Sequence, residues 1–105
     1  MRKFLPALLV PPLIALVPIL ADAAENRRIV QKGRAFRPAT VTIMRGESLT
    51  FTNDDSFVHQ VYVEDQFDSE EKGPGENINQ IFLRSGTFQV RCHIHPTMKM
   101  TVHVK

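Results

Sequence analysis

Short runs of alternating apolar and polar residues follow one another along most of the chain, from "RRIVQKG" at residues 27–33 to "MTVHVK" at residues 100–105. A period of two indicates β-strands with one buried face, and the Gly- and Pro-containing breaks between runs indicate turns. No run has the period of a convincing helix. The pattern therefore predicts an all-β domain of about six to seven short strands, either a sandwich or a small barrel.

The alternation also places two polar side chains on apolar strand faces. In "FVHQVYV" at residues 57–63, His59 shares a face with two valines, and in "TFQVRC" at residues 87–92, Cys92 shares a face with Phe88 and a valine. Successive side chains of a strand point to opposite faces, so both groups are predicted to face the core near strand ends. A glycine at Gly46 is predicted to turn the chain between two earlier strands with a positive φ.

The N-terminal segment has the layout of a secretory signal peptide. Met1, Arg2 and Lys3 precede an apolar run over residues 4–20, and Ala21-Asp22-Ala23 forms a small-x-small cleavage signal. We expect a cleaved signal peptide over residues 1–23, a single domain over residues 24–105 and a periplasmic location. The alternative is an uncleaved membrane anchor. The four prolines of the run disfavour a stable membrane-spanning helix.

Composition favours a metal and argues against nucleic acid as a partner. The chain of 105 residues has one cysteine, so an exported domain of this size has no internal disulfide to stabilise it. The formal net charge is +2, with basic residues concentrated in residues 24–45 and acidic residues in residues 46–76. Such segregation suits a charged protein partner. No basic surface interleaved with aromatic residues suggests nucleic acid.

The residues near the C-terminus form a plausible metal-ligand set. Cys92, His95 and Met98 follow one another at intervals of three in "CHIHPTM", and His59 is predicted on a distant strand. Two imidazoles and a thiolate with a weak thioether are the donors of a copper electron-transfer site. Zinc also binds imidazole and thiolate, but it has little use for a thioether, so Met98 favours copper.

These residues resemble the cupredoxins, the type 1 or blue copper family. The loop "CHIHPTM" is similar to the Cys-x-x-His-Pro-x-Met loop of amicyanin, "VHQVYV" to the strand that carries the first histidine, and "GTFQVRCHIHPTMKMTVHV" to the C-terminal hairpin. The resemblance covers residues 24–105. It implies a Greek-key β-sandwich and a periplasmic protein, not an enzyme, that shuttles single electrons between redox proteins.

Carried over by position, the resemblance makes His59, Cys92 and His95 the strong ligands of one copper ion that cycles between Cu(I) and Cu(II). Met98 becomes the weak axial ligand. The plastocyanin spacing would select Met100 instead, but Met100 shares a strand face with two later valines and is predicted to lie in the core. The implied partners are a c-type cytochrome, a periplasmic dehydrogenase or a reductase, and the implied state is a monomer that contacts a membrane only if its N-terminus is uncleaved.

Several neighbouring residues have predicted roles outside the ligand set. His93 and His103 alternate to the outer strand faces and are predicted to be exposed and not ligands. Gln60 replaces the asparagine that better-known members place after the first ligand, so hydrogen bonding near the site is expected to differ. The apolar surface around His95 is predicted to include Phe36, Phe57 and Pro96, although both phenylalanines suit the core equally well.

Three other functions stay open from the sequence. A periplasmic copper delivery or storage protein would use the same ligands, although such proteins more often have flexible Met- and His-rich segments. A metal-free binding module would carry Cys92 incidentally. A Cys–His nucleophilic enzyme would need a supporting oxyanion loop, and we find none in the sequence.

Overall fold

A computed structural model of the protein describes residues 27–105. The predicted signal peptide over residues 1–23 and the predicted start of the domain at residue 24 lie outside the described residues. Within residues 27–105, no helix is long and apolar enough to cross a membrane.

The described chain is all-β. Between residues 27 and 105 it forms nine strands: β1 (Arg28–Gln31), β2 (Phe36–Arg37), β3 (Thr40–Ile43), β4 (Ser48–Asn53), β5 (Tyr62–Val63), β6 (Phe67–Asp68), β7 (Asn77–Ile81), β8 (Gly86–Arg91) and β9 (Lys99–Val104). Six of these strands have four or more residues, which lies within the six to seven that the alternation predicts. The other three have two residues each, too short for a period of two to be visible.

The strands form two mixed sheets. One sheet has the order β2-β1-β4-β7, and the other has the order β3-β9-β8-β5-β6. The pairs β1–β4 and β3–β9 are parallel, and the remaining neighbours are antiparallel. This arrangement confirms the predicted β-sandwich. It also brings the start of β9 beside the end of β8, where the candidate ligands lie.

One hydrophobic core lies between the sheets, and the predicted faces build it. The buried apolar residues are Ile29, Phe36, Ile43, Leu49, Phe51, Val61, Val63, Ile78, Phe82, Val90, Cys92, Met98, Met100, Val102 and Val104. Strand β9 shows the pattern most clearly, because its alternate residues 100, 102 and 104 are buried. Gly46 has a φ of 93°, and Glu47 N donates to Met44 O across the turn that contains it, as predicted.

The prediction of one strand over residues 57–63 is wrong for its first five residues. Strand β5 covers only Tyr62–Val63, and His59 pairs with Lys72 in an isolated bridge. The physical reason lies in the partner segment. Val61 exchanges hydrogen bonds with the backbone N–H and the hydroxyl of Ser69, so this stretch pairs with an irregular loop and not with a continuous strand.

Candidate metal centre

Three side chains from two separate parts of the chain meet at one end of the sandwich. Cys92 directly follows β8, His95 lies in the turn between β8 and β9, and His59 comes from the segment between β4 and β5. One ligand atom from each of the three residues lies within 4.8 Å of the others. Cys92 Sγ is 4.0 Å from His95 Nδ1. The structure therefore brings together three of the four predicted ligands at a spacing that a single ion can bridge.

The ring of His59 is fully buried, and its two nitrogens have different surroundings. Nε2 is 2.7 Å from Oδ2 of Asp55. Nδ1 has no hydrogen-bond partner among the described residues. A buried polar atom without a partner is costly and needs an explanation, and a ligand absent from the structure is one. The orphaned Nδ1 is thus the atom that His59 offers to the centre.

A buried asparagine holds the segment that carries His59. Asn53, at the end of β4, is fully buried, and its Nδ2 donates to the backbone carbonyls of Phe57 (2.8 Å) and Lys72 (2.9 Å). Its Oδ1 accepts a hydrogen bond from the backbone N–H of Asp55 at 2.9 Å. The two backbone bonds between His59 and Lys72 complete the support. One side chain therefore fixes the path of residues 53–59 below the centre.

The structure shifts the pKa of two groups at the centre. Burial acts to raise the pKa of Asp55, but the hydrogen bond with His59 and those from the backbone N–H groups of Gly33 and Arg34 outweigh it, so the pKa lies below its usual value. Burial lowers the pKa of His95, and the nearby His59 and Arg34 lower it further. The carboxylate is therefore favoured as an anion and the His95 imidazole as a neutral ring, which is the form that binds metals.

An aromatic side chain packs against both histidines. The half-buried Phe57 ring meets the His59 ring edge-on with centroids 5.1 Å apart, and it meets the His95 ring at 5.2 Å. The centroids of the two imidazoles are 5.0 Å apart. Arg34 covers Phe57, with its guanidinium carbon 5.0 Å from the ring centroid. Phe57 therefore has the position predicted for it, whereas Phe36 lies in the core against Phe51 and is not part of this surface.

Both candidate methionines are buried, and burial alone does not choose between them. Met98 precedes β9, and its backbone N–H donates to His95 O at 2.8 Å, which closes the turn. Met100 lies within β9 opposite Val90 and shares the core face of that strand. The core position predicted for Met100 is confirmed. That Met98 is the axial ligand stays a prediction.

The flanking residues lie where the alternation predicts them. His93 is exposed, stacks flat on Tyr62 with centroids 3.6 Å apart, and places Nε2 3.4 Å from Oδ2 of Asp68. His103 lies on the outer face of β9, with Nδ1 3.2 Å from the hydroxyl of Thr87. The side chain of Gln60 donates to Asp68 and to Ser69 O, so it is bonded to the acidic segment over residues 64–76 and not to the loop over residues 92–98.

The donor set fits a transition metal of intermediate softness. Two imidazole nitrogens and a thiolate suit copper or zinc, and a thioether nearby favours copper. Cys92 is 1% exposed, so its sulfur lies away from bulk water. The carboxylate behind His59 is a common second partner of metal-binding histidines in proteins.

A comparison with known protein families shows to which family this chain belongs. The Cupredoxin-like domain family matches residues 7–104. The chain belongs to that family. The resemblance seen in "CHIHPTM" and in the C-terminal hairpin is therefore confirmed. A search of curated protein sequences finds no match.

Solved cupredoxin structures show the same fold. Amicyanin from Paracoccus versutus superposes with a TM-score of 0.72 at 22% identity, covering 78% of this chain and 83% of that chain. The purple cupredoxin from Nitrosopumilus maritimus superposes with a TM-score of 0.68 at 24% identity, covering 74% of this chain and 98% of that chain. At these identities the likeness concerns the fold.

The sequence did not predict the roles that three residues, Asn53, Asp55 and Arg34, have at the centre. Asn53 holds the segment that carries His59 through its side-chain hydrogen bonds, and Asp55 contacts His59. Arg34 covers Phe57 from a different hairpin. A signal for Asp55 existed in "NDDSFVH", since a carboxylate precedes the ligand histidine by four residues, although nothing local shows that the two side chains meet.

Proposed function

We propose that the protein is a type 1 copper protein that carries single electrons between redox proteins in the periplasm. One observation carries the proposal: Nδ1 of the buried His59 has no hydrogen-bond partner within residues 27–105, and it lies in a cluster with Cys92 and His95 whose ligand atoms are within 4.8 Å of one another. Membership of the cupredoxin-like family supports copper electron transfer in general. The ligands we propose are His59, Cys92, His95 and Met98.

Each residue of the set has a separate task. When bound, copper supplies a one-electron Cu(I)/Cu(II) couple. The His59 ring is held from behind by Asp55, so it does not need to reorient when the charge at the centre changes. Cys92 offers a buried sulfur that would bind copper as the thiolate, and Met98 offers a weak donor that would tune the potential. Preformed ligands keep the rearrangement on electron transfer small.

The surface near His95 is the proposed place of electron exchange. His95 is partly exposed, whereas His59 is not. Exposed apolar side chains of Val58 and Ile94 lie in the segments beside the two histidines. Apolar surface of this kind suits brief contacts with another protein. A c-type cytochrome, a periplasmic dehydrogenase or a reductase would be such a partner, and a monomer leaves the surface free.

The deciding experiment is an absorption and EPR spectrum of the protein loaded with Cu(II), beside a Cys92→Ser variant. We expect an intense thiolate-to-copper band with narrow hyperfine splitting in the wild type and neither feature in the variant. A pale cupric spectrum that is the same in both proteins would exclude Cys92 as a ligand and overturn the proposal.

The second candidate is a copper delivery or storage protein with the same ligands. The spectrum does not separate the two, but the fate of the ion does. A carrier is expected to show a reversible one-electron couple, to reduce cytochrome c and to retain Cu(I) against a competing chelator. Rapid release of Cu(I) with slow electron transfer would favour delivery.

The metal-free alternative is tested by stability. A ligand that binds only the folded state raises the free energy of unfolding by about 2.7 kcal/mol at a concentration of 100 times its Kd. We expect Zn²⁺, a redox-inert probe, to stabilise the wild type more than Cys92→Ser. An unfolding curve unchanged by Zn²⁺ and by copper would support a metal-free module.

A further inference from the structure

A half-buried aspartate stands directly behind the proposed copper ligand His59. Asp55 has 9% of its side chain exposed, and its Oδ2 is 2.7 Å from His59 Nε2. Its remaining contacts are backbone N–H groups, with Gly33 N donating to Oδ1 at 2.8 Å and Arg34 N to Oδ2 at 3.2 Å. The carboxylate therefore has three donors, of which the imidazole is the only side chain.

The backbone donors come from the tight turn between β1 and β2. Lys32 and Ala35 exchange both backbone hydrogen bonds, so Gly33 and Arg34 are the two central residues of the turn. Both have positive φ, 64° and 56°, which is the backbone form that a two-residue hairpin requires. The turn points their N–H groups at Asp55. The carboxylate is thus held by an element 21 residues earlier in the chain and cannot turn away from His59 freely.

The negative charge of Asp55 is not cancelled by a lysine or arginine. Among residues 27–105, no lysine or arginine forms an ion pair with it, and its one side-chain hydrogen-bond partner is the His59 ring. The nearby cations are engaged elsewhere, since Lys32 lies 3.7 Å from Asp54 and the Arg34 guanidinium covers Phe57. The field of the carboxylate therefore falls on the His59 ring and on whatever the ring binds.

The geometry also selects one form of the imidazole. An ionised carboxylate only accepts hydrogen bonds, so Nε2 of His59 must carry the proton in a neutral ring. The other nitrogen, Nδ1, is then left with a free lone pair, and it is the atom that has no partner within the described chain. In a neutral ring, the contact with Asp55 therefore selects the tautomer that can bind a metal ion through Nδ1.

We propose that Asp55 is a positioning residue of the copper centre, which fixes His59 with a bare Nδ1 and favours Cu(II) over Cu(I). This inference rests on the proposed function. The carboxylate makes the imidazole a stronger donor, and its charge attracts a doubly charged ion more than a singly charged one. Asp55 thereby lowers the reduction potential of the centre.

The first test uses the protein without metal. Nitrogen-15 NMR at neutral pH is expected to show His59 with its proton on Nε2 and Nδ1 unprotonated. Asp55→Asn replaces one acceptor by an amide donor, so we expect it to weaken that preference. Asp54→Asn is the matched control, since Asp54 is exposed and does not contact His59. A wild-type ring protonated on Nδ1 would overturn the inference without any variant.

The second test measures copper affinity and potential in the wild type and the same two variants. Loss of an outer partner of a metal-binding histidine costs roughly 10- to 100-fold in affinity. We expect Asp55→Asn to lose Cu(II) affinity by that order, to lose less Cu(I) affinity and to have a raised potential. If the loss of Cu(II) affinity is ten times the loss of Cu(I) affinity, the reduction potential rises by about 59 mV for one electron. Asp54→Asn should match the wild type.

The outcomes separate this inference from the proposed function. If Asp55→Asn keeps the thiolate band but has the affinity and potential of Asp54→Asn, the inference fails and the copper centre stands. If the wild type has no thiolate band, the proposed function fails, and the claim about copper potential fails with it. A raised potential in Asp55→Asn alone, with the band retained, supports both.

Discussion

The two segments that carry the candidate ligands are held in different ways. The upstream segment, residues 53–59, ends in the buried His59 and is tied by Asn53, Asp55 and Lys72 through hydrogen bonds. The C-terminal loop, residues 92–98, is closed by the bond from Met98 N to His95 O and leaves His95 partly exposed. The first segment fixes one ligand rigidly in the fold. The second contains three candidate donors at intervals of three residues, and one of them, His95, is partly exposed.

The comparison predicts that the stability of the metal-free protein depends on the upstream segment. Asn53→Ala removes a buried side chain, leaves the Phe57 carbonyl without its donor, and leaves the Lys72 carbonyl with the His59 backbone N–H alone. We expect a loss of about 3–4 kcal/mol in the free energy of unfolding, measured with urea.

The matched control for Asn53 is Asn79, an exposed residue whose Nδ2 bonds to the hydroxyl of Thr50 at 3.2 Å. Asn79→Ala should change the free energy of unfolding by no more than about 0.5 kcal/mol. Equal losses in the two variants would show that Asn53 does not organise the segment.

The buried His59 should contribute more to the stability of the metal-free protein than the partly exposed His95. His59→Ala opens a buried cavity and removes the side-chain partner of Asp55, so we expect a loss of about 2–3 kcal/mol without metal. His95→Ala, at the partly exposed position, should cost about 1 kcal/mol or less. Both variants should lose stabilisation by Zn²⁺. A larger loss from His95→Ala would contradict the comparison.

The C-terminal loop can be tested through its methionines. Met98→Leu and Met100→Leu nearly conserve volume, so each should cost less than about 1.5 kcal/mol. Only Met98→Leu should alter the visible spectrum and the potential of the copper-loaded protein, because the axial ligand tunes both. A change confined to Met100→Leu would make Met100 the axial ligand.

The smallest expected effects are those of pH on the metal-free protein. The pKa of His95 is lower in the folded protein than in the unfolded chain, so the folded state is stabilised when this ring is neutral. This contribution to the free energy of unfolding is complete above about pH 6.5, and it is lost as the pH falls through the pKa that His95 has in the folded protein. The lowered pKa of Asp55 gives one that is complete above about pH 3.9 and lost at lower pH. Urea unfolding between pH 2 and 8 should show both decreases.

Variants assign the two pH windows to the two segments. His95→Ala should remove the upper dependence, and Asp55→Asn should remove the lower one, whereas Asp54→Asn should retain both. If Asp55→Asn left the acid dependence unchanged, the pKa shift would belong to another carboxyl group.

The sequence alone determined the strand class, the core faces and the chemistry of the centre. Alternation is a local property, and burial of one sheet face makes it visible, so the positions of His59, Cys92 and Met100 on core faces were predictable. The candidate ligand types follow from the residues of "CHIHPTM", because three of the candidate donors lie within seven residues of one another.

Only the tertiary structure decided how those donors are held. The two-residue strands and the isolated bridge at His59 depend on partner segments distant in sequence. The same holds for the turn at Gly33 and Arg34 that supports Asp55, and for the burial of Phe36 while Phe57 lies against both histidines. Local patterns report which face of a strand is apolar. They do not report which loop approaches a given side chain, because that depends on how the two sheets pack.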